Sequence, residues 1–267
     1  MSEPIHVISL GAGVQSSTMA LMAAHGEITP MPKCAIFADT QDEPEEIYYW
    51  LEKLEKWLPF PVVRVTAGKL SAKLISPYYS RKNQKMTLLG FPAFTRSDGI
   101  REGHIHRQCT SNFKVIPIDK EITRQMRAHR ARRAVKWIGI SVEELHRMKP
   151  SRRNTVDHRW PLVDARKKRH DCLLWMREHG YPKPPRSACI YCPYRSDKEW
   201  SDLSDRDFLE ASEFEKRVQA AYKNIAATFS PFLHRSCVPL REVDFSTDED
   251  HGQQVMFGNE CEGLCGV

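Results

Sequence analysis

The sequence predicts an α/β fold, a parallel sheet flanked by helices and followed by a cysteine-bearing C-terminal extension. Three observations carry that expectation. Short apolar runs alternate with amphipathic stretches through the first 65 residues, the pattern of successive βαβ units. The first of these runs opens straight into a glycine turn. A Cys-x-x-Cys and a second cysteine pair stand in the last third of the chain.

The first strand is Ile5-His6-Val7-Ile8-Ser9-Leu10, and Gly11-Ala12-Gly13-Val14-Gln15-Ser16-Ser17-Thr18 turns it into a helix with an apolar segment at 19–24. Glycines 11 and 13 permit a tight turn with no side chain between backbone N–H groups and a ligand, and three hydroxyls follow in the first helical turn. A helix N-terminus carries partial positive charge, so the arrangement suits a phosphate. A packing turn is the plain alternative. A dinucleotide fingerprint, with Asp39 for a ribose hydroxyl, ranks behind the phosphate reading because Ser16 takes the place of the third glycine.

The helix stops at His25-Gly26. A second strand, Cys34-Ala35-Ile36-Phe37-Ala38, ends at Asp39-Thr40, which should share a crevice with the glycine turn. Asp42 and Glu45 have capping-box spacing, Pro44 fits a first helical turn, and Ile47, Leu51, Leu54 and Leu58 recur on one face. Pro59 and Pro61 end that helix before a third strand, Val62-Val63-Arg64-Val65.

Residues 67–108, with Tyr78, Tyr79, Arg81, Lys82, Lys85, Phe91, Phe94 and Arg96, read as a substrate lid or as an ordinary surface excursion. A further strand, Ala134-Val135-Lys136-Trp137-Ile138, runs into Gly139-Ile140-Ser141 and a polar stretch through Arg147. One late helix covers about 205–223, followed by an acidic tail. The expected organisation is a nucleotide-binding domain over 1–170 and a cysteine-bearing region packed on it over 171–267.

The chain has 267 residues, enough to bury a substantial core. Neither a signal-peptide pattern nor a run long enough to span a bilayer is present near its start, so a cytoplasmic location is expected. Net charge is +6, but residues 124–169 hold fifteen Lys or Arg against four acids. That stretch suits a polyanionic partner, or else it is the solvated face of a helix.

Eight cysteines in a cytosolic chain of this size point to metal ligation or catalysis. Cys189-Ile-Tyr-Cys192-Pro193 has ligand spacing; Cys109, Cys261 and Cys265 are available to join it, and Cys34 reads as a buried small hydrophobe. A redox dithiol is disfavoured by the loop context after Pro184-Pro185. Zinc and an iron–sulfur cluster are not separated by spacing alone.

In order along the chain, Ser9-Leu10-Gly11-Ala12-Gly13-Val14-Gln15-Ser16-Ser17, Phe37-Ala38-Asp39-Thr40, Cys109-Thr-Ser-Asn-Phe-Lys114-Val115-Ile-Pro117, Trp137-Ile-Gly139-Ile140, Trp160-Pro161-Leu162-Val163 and Ser187-Ala-Cys189-Ile-Tyr-Cys192-Pro193 resemble the adenine nucleotide α-hydrolase-like superfamily. The likeness is to its phosphoadenosine phosphosulfate reductase-like group, related to the PP-loop ATP pyrophosphatases. The loop departs from the Ser-Gly-Gly-x-Asp-Ser pattern at Gly11, Ala12 and Gln15, the last an amide where the pattern has an acid. The tail, Glu260-Cys261-Glu262-Gly263-Leu264-Cys265, is similar to the reductases' Glu-Cys-Gly-Leu ending without matching it.

The resemblance implies a Rossmann-like fold of PP-loop type that binds ATP or a related adenine nucleotide, with magnesium, through Ser9, Gly11, Ala12, Gly13, Gln15, Ser16, Ser17, Asp39, Thr40 and Gly139. It implies a 4Fe-4S cluster on Cys109, Cys189, Cys192 and Cys265, with zinc as the alternative, and catalytic roles for Cys261 and Lys114. Lys114, His146 and Arg147 are the candidates for stabilising phosphate charge. The leading expectation is ATP-dependent sulfur transfer to a tRNA or DNA, with a sulfur or electron donor protein and a homodimeric state, and no membrane. A sulfonucleotide reductase using Cys261 or Cys265 is the second reading, and a non-catalytic nucleic-acid-binding module the third.

Overall fold

The computed structural model describes residues 3–82, 84–97 and 100–246. These described residues form two compact units, each built from two stretches of chain: residues 3–67 with 110–187, and 68–109 with 188–246. The sequence reading drew one boundary at residue 170, whereas the chain leaves the first unit after the third strand and returns to it forty residues later.

The first unit opens with β1 (Ile5–Leu10), α1 (Val14–Ala24), β2 (Cys34–Asp39), α2 (Glu45–Trp57) and β3 (Val62–Thr66). The chain then enters the second unit for α3 (Leu70–Leu74), β4 (Tyr78–Ser80), β5 (Lys85–Thr87), β6 (Phe94–Ser97) and β7 (Ile100–His104). Back in the first unit, a π-helical turn over Ser111–Val115 leads into α4 (Ile116–Ala128), β8 (Ala134–Ile138), a 3-10 turn over Val142–Arg147, β9 (Val156–Arg159), α5 (Pro161–Asp164) and α6 (Arg169–Glu178). The second unit resumes with α7 (Asp197–Ser201), α8 (Asp205–Asn224), β10 (Ser230–Phe232) and a 3-10 turn over Leu240–Glu242.

In the first unit the strand order is β3-β2-β1-β8-β9, all parallel. Side chains alternate across a strand, and the sequence uses both faces. Ile5, Val7, Cys34, Ile36 and Ala38 meet Ile118, Ile122 and Met126 of α4 on one side. Ile8, Leu10, Ala35, Phe37 and Trp137 meet α1, α2 and α6 on the other, through Met19, Leu51 and Trp175 among others. This order reverses direction between β1 and β8, and in open parallel sheets ligands are taken up outside the carboxyl ends at such a point.

The second unit carries a three-stranded sheet, β10-β6-β7, and a separate ribbon of β4 and β5. The segment expected to be a lid or excursion is therefore two antiparallel ribbons preceded by a short helix. Glu215 of α8 is buried and accepts hydrogen bonds from the backbone N–H groups of Leu233 (2.8 Å) and Leu240 (2.7 Å). Among the described residues no helix is long and apolar enough to cross a membrane.

Candidate functional site

The turn after β1 is built by three neighbours in an unexpected division of labour. Ala12, not either glycine, takes the left-handed conformation (φ 60°), while Gly13 is extended (φ −91°, ψ −176°) as the N-cap of α1. Gly13 is needed for space: a Cβ there would lie 3.3 Å from Cβ of Ser187, whose hydroxyl donates to the carbonyl of Gly11. Ser16 Oγ accepts from the Gly11 N–H (3.2 Å) and donates to the Gly13 carbonyl (3.4 Å).

The other hydroxyls face inward. Ser17 Oγ accepts from Trp50 Nε1 at 2.9 Å and Thr18 Oγ1 donates to the Val14 carbonyl at 2.9 Å, and both residues are fully buried. The hydroxyls thus hold the turn in shape, and the group left to meet an anion is the N-terminus of α1. That end has no side-chain cap and no acid in its first turn. Bare N–H groups at a helix start are a ready anion site.

At the neighbouring strand end, Asp39 Oδ1 accepts from the Gln41 N–H (2.7 Å) and from Tyr48 OH (2.9 Å). Burial first, and the Asp39 carboxylate second, push the Tyr48 hydroxyl's pKa upward, so it stays a donor. The expected capping box of Asp42 and Glu45 does not form: Pro44 is the N-cap of α2 and gives it no side-chain bond. Thr40, Asp42 and Glu43 instead tuck inward, with Gln41 exposed between them. The buried Glu43 accepts from Thr40 Oγ1 and from Lys114 Nζ, each at 3.1 Å, through the same oxygen, Oε1. Its Oε2 has no partner among the described residues. Lys114 therefore spends its charge on a buried carboxylate next to Thr40.

Beyond β8, a Cβ on Gly139 would stand 2.8 Å from both N and Cα of Ser16, so only glycine lets this strand end meet the start of α1. Ser141 and Glu144 then form a capping box for the following turn. The buried Glu144 pairs with Arg147 and accepts from Gln15 Nε2 at 3.3 Å. The 165–169 turn is bonded to the same loop, by Val142 N–H to the Lys167 carbonyl (3.0 Å) and Arg169 N–H to Glu143 Oε2 (2.8 Å). The structure thus gathers Gly11, Ala12, Gly13, Gln15, Ser16 and Gly139 around one helix start, with Ser9 half-buried one residue before the end of β1.

Glu144, Ser187, Glu43 and Trp50 complete this framework and were not read as site residues. Glu144 and Ser187 carried a signal, lying in the Gly139 and Cys189 motifs. Nothing local marked Glu43 or Trp50.

In the second unit, Cys189 and Cys192 share a tight turn, Cys192 N–H to Cys189 carbonyl at 3.1 Å. The buried Arg195 pins it by donating to the carbonyls of Cys189 and Ile190 (3.0 Å each) and Ala188 (3.4 Å). Two thiols of a ligand set are thereby fixed. No group of three or more His, Cys, Asp or Glu that could hold a metal ion occurs among the described residues, so these donors alone do not complete a cluster site. Cys261 and Cys265 lie outside the described residues. Cys34 and Cys172 are fully buried thiols whose pKa values burial raises to about 12, which makes them inert packing groups.

No protein-family model and no curated protein matches the chain. Among solved structures it is similar to phosphoadenylyl-sulfate reductase from Candida auris in its phosphate complex, with a TM-score of 0.41, 12% identity, 68% of this chain and 76% of that one covered. It is also similar to the U34-tRNA thiolase NcsA from Methanococcus maripaludis with its 4Fe-4S cluster, with a TM-score of 0.35, 13% identity, and 81% and 72% covered.

Proposed function

We propose that this chain is an adenine-nucleotide-dependent enzyme of sulfur transfer, thiolating a nucleic acid. The observation that supports it best is the uncapped N-terminus of α1, set at the β1/β8 reversal, with Gly139 and Ser187 packed against its turn. A phosphate chain there accepts from the first-turn N–H groups and gains from the helix dipole, while Asp39 stands at the next strand end to meet a ribose hydroxyl.

In the reaction, an oxygen of the acceptor attacks the α-phosphorus of ATP and pyrophosphate leaves. Sulfide delivered by a donor protein then attacks the activated carbon, and AMP departs with the oxygen, so no change of oxidation state is needed. The α1 turn's part is to hold the leaving pyrophosphate. Cys109, Cys189, Cys192 and Cys265 are the residues that would hold a 4Fe-4S cluster. One observation favours a second reading, sulfonucleotide reduction: Gln15 is an amide engaged with Glu144 where ATP-splitting loops have an acid.

The deciding experiment measures pyrophosphate release from ATP with and without added tRNA and DNA, and sulfite release from phosphoadenylyl sulfate. Nucleic-acid-dependent pyrophosphate release is the expected result. Sulfite release without it puts the reductase in its place, and failure of both adenine nucleotides to bind overturns the site. Iron and acid-labile sulfide in anaerobically purified protein test the cluster, and stoichiometric zinc in colourless protein would remove it.

A further inference from the structure

We propose that the ribbon of β4 and β5 is a docking surface for a single-stranded nucleic acid. The two strands pair only with each other, in the register Tyr78 to Thr87, Tyr79 to Met86 and Ser80 to Lys85. A two-stranded ribbon is marginal in water and gains stability by laying an apolar face on a neighbour. This one leaves its large apolar groups in solvent: Tyr79 and Met86, a cross-strand pair on one face, are 59% and 46% exposed, and Tyr78 is 45% exposed. Single exposed hydrophobes are ordinary, but Tyr79 and Met86 side by side on one face of a short ribbon, with Tyr78 exposed on the other, mark an interaction surface.

Charge decides what kind of partner fits. Between Glu55 and Asp98 the sequence holds Lys56, Arg64, Lys69, Lys73, Arg81, Lys82, Lys85 and Arg96 and not one Asp or Glu. Arg81, Lys82 and Lys85 sit on the ribbon and its turn, exposed, with no acid paired to them among the described residues. In the basic stretch at 124–169, five of the fifteen cations are held by acids: Arg124 by Glu121, Arg133 by Asp157, Lys136 by Asp119, Arg147 by Glu144 and Arg159 by Asp164. A ribbon that offers aromatic rings between uncompensated cations matches a strand whose bases stack and whose phosphates need counter-charge. A duplex hides its base faces, so the match is to a single strand.

The inference deepens the acceptor reading above, on which its use in catalysis rests, while the binding itself belongs to the ribbon and is tested without ATP. The full chain is titrated into a fluorescently labelled single-stranded oligonucleotide of mixed sequence, as RNA and as DNA, and anisotropy is followed over a range of salt. Tyr79→Ala is expected to weaken binding about tenfold and Tyr79→Phe to preserve it. Lys82→Gln with Lys85→Gln is expected to lower the slope of log affinity against log salt by roughly 1.4, for two phosphates on a single strand.

Circular dichroism shows that each variant is folded. Wild-type affinity and salt slope in all variants would overturn the proposal, as would binding to phosphatidylserine vesicles with none to the oligonucleotide. Ribbon-dependent binding without nucleic-acid-stimulated pyrophosphate release leaves the surface standing and removes the acceptor reading. Stimulated release that the variants do not alter does the reverse.

Discussion

At the residue scale, one missing carbon and one missing charge define the candidate site at the start of α1. Gly139 has backbone atoms of Ser16 where its Cβ would stand, so relief cannot come from a side chain swinging away. Gly139→Ala is expected to cost about 1–3 kcal/mol in urea unfolding and to weaken ATP binding, because the strand end or the α1 turn must move. Gln15 explains itself through its partner. Its amide donates to Glu144, and an acid in its place would set two carboxylates face to face about 3.3 Å apart. Gln15→Glu is therefore expected to weaken ATP binding in calorimetry, and adding Glu144→Gln, which exchanges the two groups, to recover most of it. Additive losses in the double variant would show that the pair does not interact. The sequence made the glycine turn between strand and helix legible but not the direction of its hydroxyls, since Ser17 is claimed by Trp50, thirty-three residues away.

At the scale of elements, legibility followed punctuation. The first three strands, α2, β8 and α8 stood out because apolar periodicity there is bounded by Gly, Pro or a capping serine; Ser204, for example, caps α8 by accepting from the Asp207 N–H. The sequence offered only the end of α4, as the solvated face of a helix, because the helix grows out of a π-helical turn, and β9 was hidden because its four residues, Val-Asp-His-Arg, show no strand pattern at all. Apart from α8, the second unit was hard to read for a further reason: its segments are tied by distant polar contacts. Glu215 of α8 is the clearest, each oxygen accepting one N–H from the stretch around β10 and the last 3-10 turn. Burial raises its pKa in spite of those two bonds, so the group holds these segments at some cost to itself. Glu215→Gln keeps the size but turns one acceptor into a donor facing an N–H. It is expected to destabilise the chain by about 1–3 kcal/mol, read as a lower unfolding midpoint. A neutral result would mean that the C-terminal stretch is held by packing alone.

At the scale of the whole molecule, the burial of two histidines beside the parallel sheet couples folding to acidity. His6 of β1 is partly buried and accepts from Trp137 Nε1 through Nδ1 at 3.0 Å, a bond that requires this nitrogen to be unprotonated. His158 of β9 donates from Nδ1 to the Lys149 carbonyl at 2.8 Å. Burial is the main force lowering both pKa values from the ordinary 6.5, with Arg159 adding to it at His6 and Lys136 at His158. A base whose pKa is depressed on folding binds fewer protons in the folded state than in the unfolded one. Stability from this source is thus complete above 6.5 and declines as pH falls from there toward the folded values. The expected result is that the urea midpoint drops as pH falls from about 7 toward about 5, before most carboxylates titrate. His6→Gln, whose amide oxygen can still accept from Trp137, should flatten that decline while lowering stability little at pH 8. A slope unchanged by the substitution would place the coupling in other groups, and a midpoint that rises on acidification would contradict the sign.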